Sequence, residues 1–529
     1  MTPVEDAGEI VPPERIPGLN GLARTLMGRD PAVRAFLPDA WDLETIAARA
    51  REVLAQFSPR DLARSDPALA DLAGGRRAAV VAGQQVGVCA GPLLTLVKAL
   101  AAMKLAEALR GRAPASPLFW CASEDHDLAE ITRFSVEGPD GVVDLGPDPG
   151  PLAANRRPVG ALPVGLDVAA LVDRSAEGIG NPDAETRQAL VSSHAGRTYR
   201  DAFVATLGWL AGEPELRYAD AARESDKADL VPLAARLVLE RTDVRRILAE
   251  RNGALEKAGH PLQVKSDLSA LPLFALVGGE RFVLREAEGK LVLKGSPDER
   301  ALSPEEVVAR FTSGQWRPSF SALTRPLAAS VLYPVAAAIL GPAEIAYWAQ
   351  SFPLFSWAGI VPPVVVPRPF VAPLPPPARR ALAKLGLSVA DVLEGEAALL
   401  RKAGDGRARG TLERIREVKG AALAALEPLG PELLAVDPAL GRALDATRKN
   451  VAFALEKLEE KAAQAAGRAD ELAARQVRRL AEEILPGGTL AERVYTAVPW
   501  LLRFGREGLV APLKQGLRWD VPGLQVIPL

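Results

Sequence analysis

The sequence predicts an α/β fold, an open sheet flanked by helices, with a long helical segment towards the C-terminus. Three observations predict it. Residues 77–130 read as strand, glycine loop, helix, strand and polar tip. Short apolar runs return at Leu216–Asp220, Val331–Leu340 and Val364–Val366, separated by stretches of helical spacing. From residue 376 onward the composition shifts to Ala, Leu, Glu, Lys and Arg. Within 446–484, Val451, Leu455, Leu458, Ala462, Ala465, Ala469 and Leu472 alternate in steps of four and three, a heptad seam.

In chain order, residues 1–75 carry helical periodicity around Leu19–Met27 and Leu43–Phe57 and read as a helical cap. Ala78–Ala82 is a valine-rich run suited to a buried strand. Pro92 stands where a helix begins, because a first-turn proline loses no intrahelical bond. Leu93, Leu94, Val97, Leu100, Ala101 and Leu105 follow at helical spacing, with Lys98 and Lys104 among them. Pro117–Ala122 is a second strand ending in Ser123-Glu124-Asp125-His126-Asp127. Ligands of open α/β sheets bind beyond the carboxyl ends of the strands, so both polar loops should face one cleft.

Ile131–Val136 and Val142–Leu145 are expected to form a β excursion around a GPDG turn. Helices should fill 168–212, and one long helix 227–258. Leu273–Val277, Arg281–Arg285 and Lys290–Lys294 predict a small β-meander, and VPPVVVPRPF a strand bounded by rigid turns. Gly430-Pro431 and Pro438 should interrupt the helices of an antiparallel hairpin. The expected division is a core at 1–375 (first βαβ unit 76–130, β insertions 131–165 and 260–299), a helical coiled coil at 376–485, and a C-terminal helical segment, 486–529, packing back on the core.

A chain of 529 residues exceeds what one hydrophobic core serves. A net charge of -2 gives no reason to expect nucleic acid or an anionic membrane as partner. No apolar stretch approaches the ~20 residues that span a bilayer. The N-terminus has acidic residues and lacks an apolar signal region, which places the expected location in the cytoplasm. Two cysteines and three histidines exclude a disulfide framework, a CxxC zinc module and a histidine-rich metal site, and no individual residue is assigned as a metal ligand.

The chemistry concentrates in the two loops. Gly83, Gly87 and Gly91 surround Gln84 and Gln85 after a strand, without the spacing of either common phosphate motif. The loop reads as a ligand cradle or as a plain strand–helix turn, and the two amides favour binding. Glu124, Asp125, His126 and Asp127 are the catalytic candidates, a substrate-amine or divalent-metal site with His126 as base. The alternative is a turn in which Asp125 or Asp127 caps the next helix. Arg325 is suited to clamp a carboxylate or phosphate, with a surface ion pair as its alternative. Glu344 suits a helix cap or a substrate amine. Trp348 joins the binding candidates, with a core role as its alternative.

These blocks have a family likeness. AVVAGQQVGVCAGPLLTLVK, PLFWCASEDHDLAEI, LTRPL, ILGPAEIAYW and VPPVVVPR, with AERVY…LLRFG…QVIPL at the end, resemble the cysteine ligase family of bacillithiol biosynthesis. Ala329 and Ala491 depart from the family pattern, which has glutamine at each. The resemblance implies a Rossmann-like core similar to class I aminoacyl-tRNA synthetases and nucleotidyltransferases, two connecting insertions, and a coiled coil that pairs two subunits. It implies amide formation between cysteine and glucosaminyl-malate, with ATP as co-substrate and Mg2+ beside it. The competing expectations are a nucleotidyltransferase-like enzyme on another small substrate and a non-catalytic dimeric nucleotide-binding assembly protein.

Overall fold

The computed structural model describes residues 8–60, 66–138, 141–148, 155–212, 214–265, 267, 269–297, 299–407, 409–469 and 471–529. The chain divides into two compact units, residues 1–372 with 492–527, and 373–491 with 528–529.

The first unit is built on a parallel five-stranded sheet. Its strands are β1 (Ala78–Gln85), β2 (Ala115–Ala122), β3 (Arg217–Asp220), β4 (Val335–Leu340) and β5 (Val364–Pro367), in the order β5-β4-β1-β2-β3. β2, β4 and β5 are buried along their whole length, which is why they read as unbroken apolar runs and not as alternation. The chain order reverses direction between β1 and β4. In a sheet of this kind the crevice opens at that switch, beyond the carboxyl ends of the strands.

The helix Leu94–Ala108 crosses from β1 to β2 and is buried on nearly every side, Lys98 included. A separate four-stranded antiparallel sheet places Arg317–Phe320 beside Ala270–Val277, followed by Glu280–Ala287 and Lys290–Leu293. The last three are the expected meander. The fourth lay in a segment assigned to the core, because its RPSF carries no strand alternation.

Other expectations need correcting. Ile131 and Thr132 belong to a short helix, Leu128–Thr132, because Asp127 caps it; the hairpin is Ser135–Gly138 with Gly141–Asp144. The long helix is three, Glu224–Asp229, Val231–Leu239 and Arg241–Lys257, with Pro232 in the first turn of the second. Val331–Leu340 divides between the end of a helix, Arg325–Leu332, and β4. The apolar C-terminus is a strand, Leu524–Pro528, whose Leu524 and Gln525 pair antiparallel with Val11 and Ile10.

In the second unit, Arg409–Ala425 and Pro438–Ala469 run antiparallel, joined by Arg416–Glu459 and Lys419–Glu456 ion pairs at 2.6 Å. Gly430-Pro431 does not break a helix; it lies in the first turn of Leu429–Val436, where proline is tolerated. Along the heptad seam, Val451, Leu455 and Ala462 are half-buried, whereas Leu458 is 51% exposed and Ala465 is exposed. The side chains of Ala469 and Leu472 lie outside the described part. No described helix is long and apolar enough to cross a membrane.

Candidate functional site

A cleft of about 640 Å³ lies at the switch point of the parallel sheet. Its walls come from the ends of four strands. β1 contributes Gly83, Gln84 and Gln85, β2 leads to Asp125, β4 to Gly341–Glu344 and β5 to Arg368. Register explains the first contact. Gln85 pairs with Ala122 across the two parallel strands, and the turn after β2 returns Asp125 to the Gln85 amide.

Two charged knots line this cleft. In the first, Arg325 Nη2 donates to both oxygens of Asp125, at 2.8 and 3.0 Å, and Arg281 lies 3.3 Å from the same carboxylate. Burial opposes ionisation of Asp125, but Arg325, Arg281 and the Gln85 amide hold its pKa below the ordinary carboxylate range. Arg281 is itself fixed. Its Nε donates to Ser319 Oγ at 2.9 Å, and its guanidinium stacks 3.7 Å from the centre of the Phe274 ring. The Ser319 hydroxyl donates onward to Glu124 at 3.2 Å.

The second knot is centred on Lys98, one turn after Leu94 on the same helix face. Its ammonium donates to Gly83 O at 2.8 Å, Gln84 Oε1 at 3.0 Å and Glu344 Oε2 at 2.6 Å. Burial lowers its pKa, with Glu344 opposing. Glu344 also accepts from Gly341 N at 2.6 Å, so it caps its helix and binds a cation at once. Arg368 closes this end through a 2.6 Å pair with Glu492, both almost fully buried.

The structure thus brings Gly83, Gln84, Gln85, Asp125, Arg325 and Glu344 to one cleft. The other candidates lie elsewhere. Glu124 is buried in an ion pair with Lys227. Asp127 caps the next helix, accepting from Glu130 N at 2.9 Å. His126 is exposed and off the cleft wall; partial burial and Arg281 lower its pKa, against Asp125 and Asp127. Trp348 is 7% exposed and packs on Phe355, while its neighbour Tyr347 faces the cleft.

Gly87 and Gly91 shape the turn behind the wall. A Cβ on Gly87 would come within 3.0 Å of Gly91 Cα, and Cys89, Ala90 and Gly91 all have positive φ. Cys89 N donates to His194 Nε2 at 3.1 Å, and His194 Nδ1 meets Leu190 O at 2.7 Å, which anchors this left-handed turn. The N–H of Leu93, at the start of the helix, is taken by Tyr495 O at 2.9 Å.

Sequence reasoning assigned no role to Arg281, Glu130, Arg368 or Arg493, and placed Lys98 only on a helix. A signal existed for Lys98, a lone cation on an otherwise apolar face. Arg281 carried none, because a charged residue in a meander strand is ordinary. Among the described residues, no group of three His, Cys, Asp or Glu side chains is arranged to hold a metal ion.

Comparison with known proteins agrees with the fold. Residues 48–369 match the family model described as bacillithiol biosynthesis BshC, N-terminal Rossmann-like domain, and residues 373–517 match its C-terminal coiled-coil domain. A protein of Solibacter usitatus named "Putative cysteine ligase BshC" is 32% identical over 83% of this chain and 82% of its own length. Proteins with the same name from Salinibacter ruber (29%, 85% of this chain and 82% of its own) and Koribacter versatilis (28%, 94% and 95%) are also similar. With two matching domain models spanning most of the chain and a parallel-sheet cleft built from its most distinctive blocks, the chain belongs to the BshC family of bacillithiol biosynthesis.

Proposed function

We propose that this protein is a cytoplasmic ligase that joins the carboxyl of L-cysteine to the amino group of glucosaminyl-malate, the last step of bacillithiol biosynthesis, with ATP as co-substrate. The observation that carries the reading is the charge of the cleft. Among the described residues, Lys98, Arg281, Arg325, Arg368 and Arg493 line it against three acids, Asp125, Glu130 and Glu344. Arg368 Nη2 is buried without a hydrogen-bond partner among the described residues. Such a wall suits a substrate with two carboxylates and a co-substrate with phosphates.

Carboxylate activation is the chemistry ATP supplies, and Mg2+ would travel with its phosphates. The chain's own residues bind and orient. Arg368 and Arg493 offer charge to the malate carboxylates or to phosphate, and the fixed Lys98 knot holds the Gly83–Gln84 edge rigid against them. Thiol profiling of a deletion strain tests the reading. The expected result is loss of bacillithiol with accumulation of glucosaminyl-malate; an unchanged thiol profile overturns it.

The helical unit supports homodimerisation. Phe453 and Leu458 on Pro438–Ala469 and Val418 on Arg409–Ala425 are 61%, 51% and 52% exposed, an apolar surface that a second copy would cover. Light scattering is expected to give a dimer mass at micromolar concentration, and a Phe453→Glu/Leu458→Glu variant a monomer. A monomer mass for the unaltered protein defeats this.

A further inference from the structure

The cleft contains three acids, and two of them are already committed. Asp125 is held by Arg325 and Arg281, and Glu344 by Lys98 and the Gly341 N–H. The third, Glu130, faces the same cleft from the helix Leu128–Thr132, and its carboxylate has no hydrogen-bond or ion-pair partner among the described residues. A second group there is also unspent. Gln85 directs its Nε2 to Asp125, which leaves Oε1 buried without a partner on the same wall. A buried amide oxygen without a partner is costly unless something donates to it.

We propose that Glu130 is the general base of the ligase reaction, taking a proton from the substrate ammonium while Gln85 Oε1 accepts a hydrogen bond from the same nitrogen. This rests on the amide-forming reading above. An amine cannot attack while its nitrogen is protonated, so an ammonium substrate needs an acceptor at the site. Of the acids that line the cleft among the described residues, Glu130 is the uncommitted one.

One proton passes from the ammonium to the Glu130 carboxylate and on to solvent. The freed nitrogen pair forms the C–N bond to the cysteine acyl carbon, activated as a phosphoric anhydride, the donor class ATP provides. The bond from that carbon to the phosphate oxygen breaks, and the phosphate leaves with the electron pair. The nitrogen's second proton leaves with the phosphate, giving a neutral amide.

The surroundings of Glu130 suit the task. Asp127 and Asp125 lie on its own segment and Arg325 faces it from the helix Arg325–Leu332. Burial raises its pKa, the two aspartates add to the rise, and Arg325 opposes it, which makes the carboxylate a stronger proton acceptor than an ordinary one.

The experiment compares wild type, Glu130→Gln and Glu130→Asp with cysteine, ATP and glucosaminyl-malate from pH 6 to 9. Near pH 7, Glu130→Gln is expected to lose about a hundredfold in kcat, within the usual range for a general base, with KM little changed. The deficit should shrink as pH rises, because solvent then deprotonates the ammonium. Glu130→Asp should recover part of the rate. Near-UV circular dichroism should match wild type, since no protein contact of the carboxylate is removed. A Glu130→Gln enzyme with wild-type kcat overturns the assignment, as does a deficit equal at every pH. A wild-type enzyme that forms no amide from these substrates overturns the ligase reading and the base with it, which separates the two failures.

Discussion

Replacing Asp125 by asparagine is expected to cost about 2–4 kcal/mol of stability at neutral pH and to lower activity at least tenfold. The reason lies in what remains. Arg325 and Arg281, both well covered, lose the carboxylate that pairs them, and each then faces the other's charge across the cleft. The asparagine amide still meets Gln85, so the local shape survives while the charge does not. Despite burial, Arg325, Arg281 and Gln85 hold the Asp125 pKa below its ordinary value in the folded protein. Its contribution is therefore fully present above the unfolded value of about 3.9 and is lost as pH falls through the lower folded value. Urea unfolding at pH 7 and pH 3 should show the gap between wild type and Asp125→Asn narrowing at the lower pH. A gap that is constant, or wider in acid, would show that the carboxylate's charge is not what holds the arginines.

The sequence made the central crossover legible because its signals were local. The valines at positions 80 and 81, Pro92 and the helically spaced apolar positions after it each obey one rule, and tertiary packing agrees with all of them. That the two polar tips meet at one cleft was legible because chain order put both at strand ends. Within EDHD, however, sequence could not apportion roles. Strand alternation suggested two faces, but the segment is a turn: Glu124 goes to Lys227, Asp125 to the arginines and Asp127 to the helix cap. Those partners are distant in the chain, and nothing in the local pattern announces Lys227 or Arg281. The same limit applies to Trp348 and Tyr347, adjacent on one helix, where the fold alone decides which ring faces the cleft. Leu458 illustrates the reverse case. Its heptad position was readable, but exposure shows that the hairpin within one chain does not cover it.

The second large effect is expected at Arg368 and Glu492, which pair at 2.6 Å with side chains 1% and 0% exposed. Glu492 also accepts from Val371 N at 3.0 Å, which ties the strand after Arg368 to the start of the C-terminal segment. Arg368→Met removes one partner of a fully buried pair, leaving an uncompensated charge, and should cost about 3–5 kcal/mol. Burial already raises the Glu492 pKa against the pull of Arg368, and without the arginine it rises further. A raised carboxyl pKa favours the folded state at low pH and loses that advantage as pH climbs through the folded value. The Arg368→Met deficit should therefore be larger at pH 8 than at pH 5. Adding Glu492→Gln removes the orphaned charge and should restore most of the stability in urea unfolding, a coupling readable from the double-mutant cycle. It should not restore activity, because Arg368 also lines the cleft and offers its free Nη2 to the substrate. Additive costs with no coupling would mean that the two side chains do not act as a pair; full recovery of activity in the double variant would remove Arg368 from substrate binding.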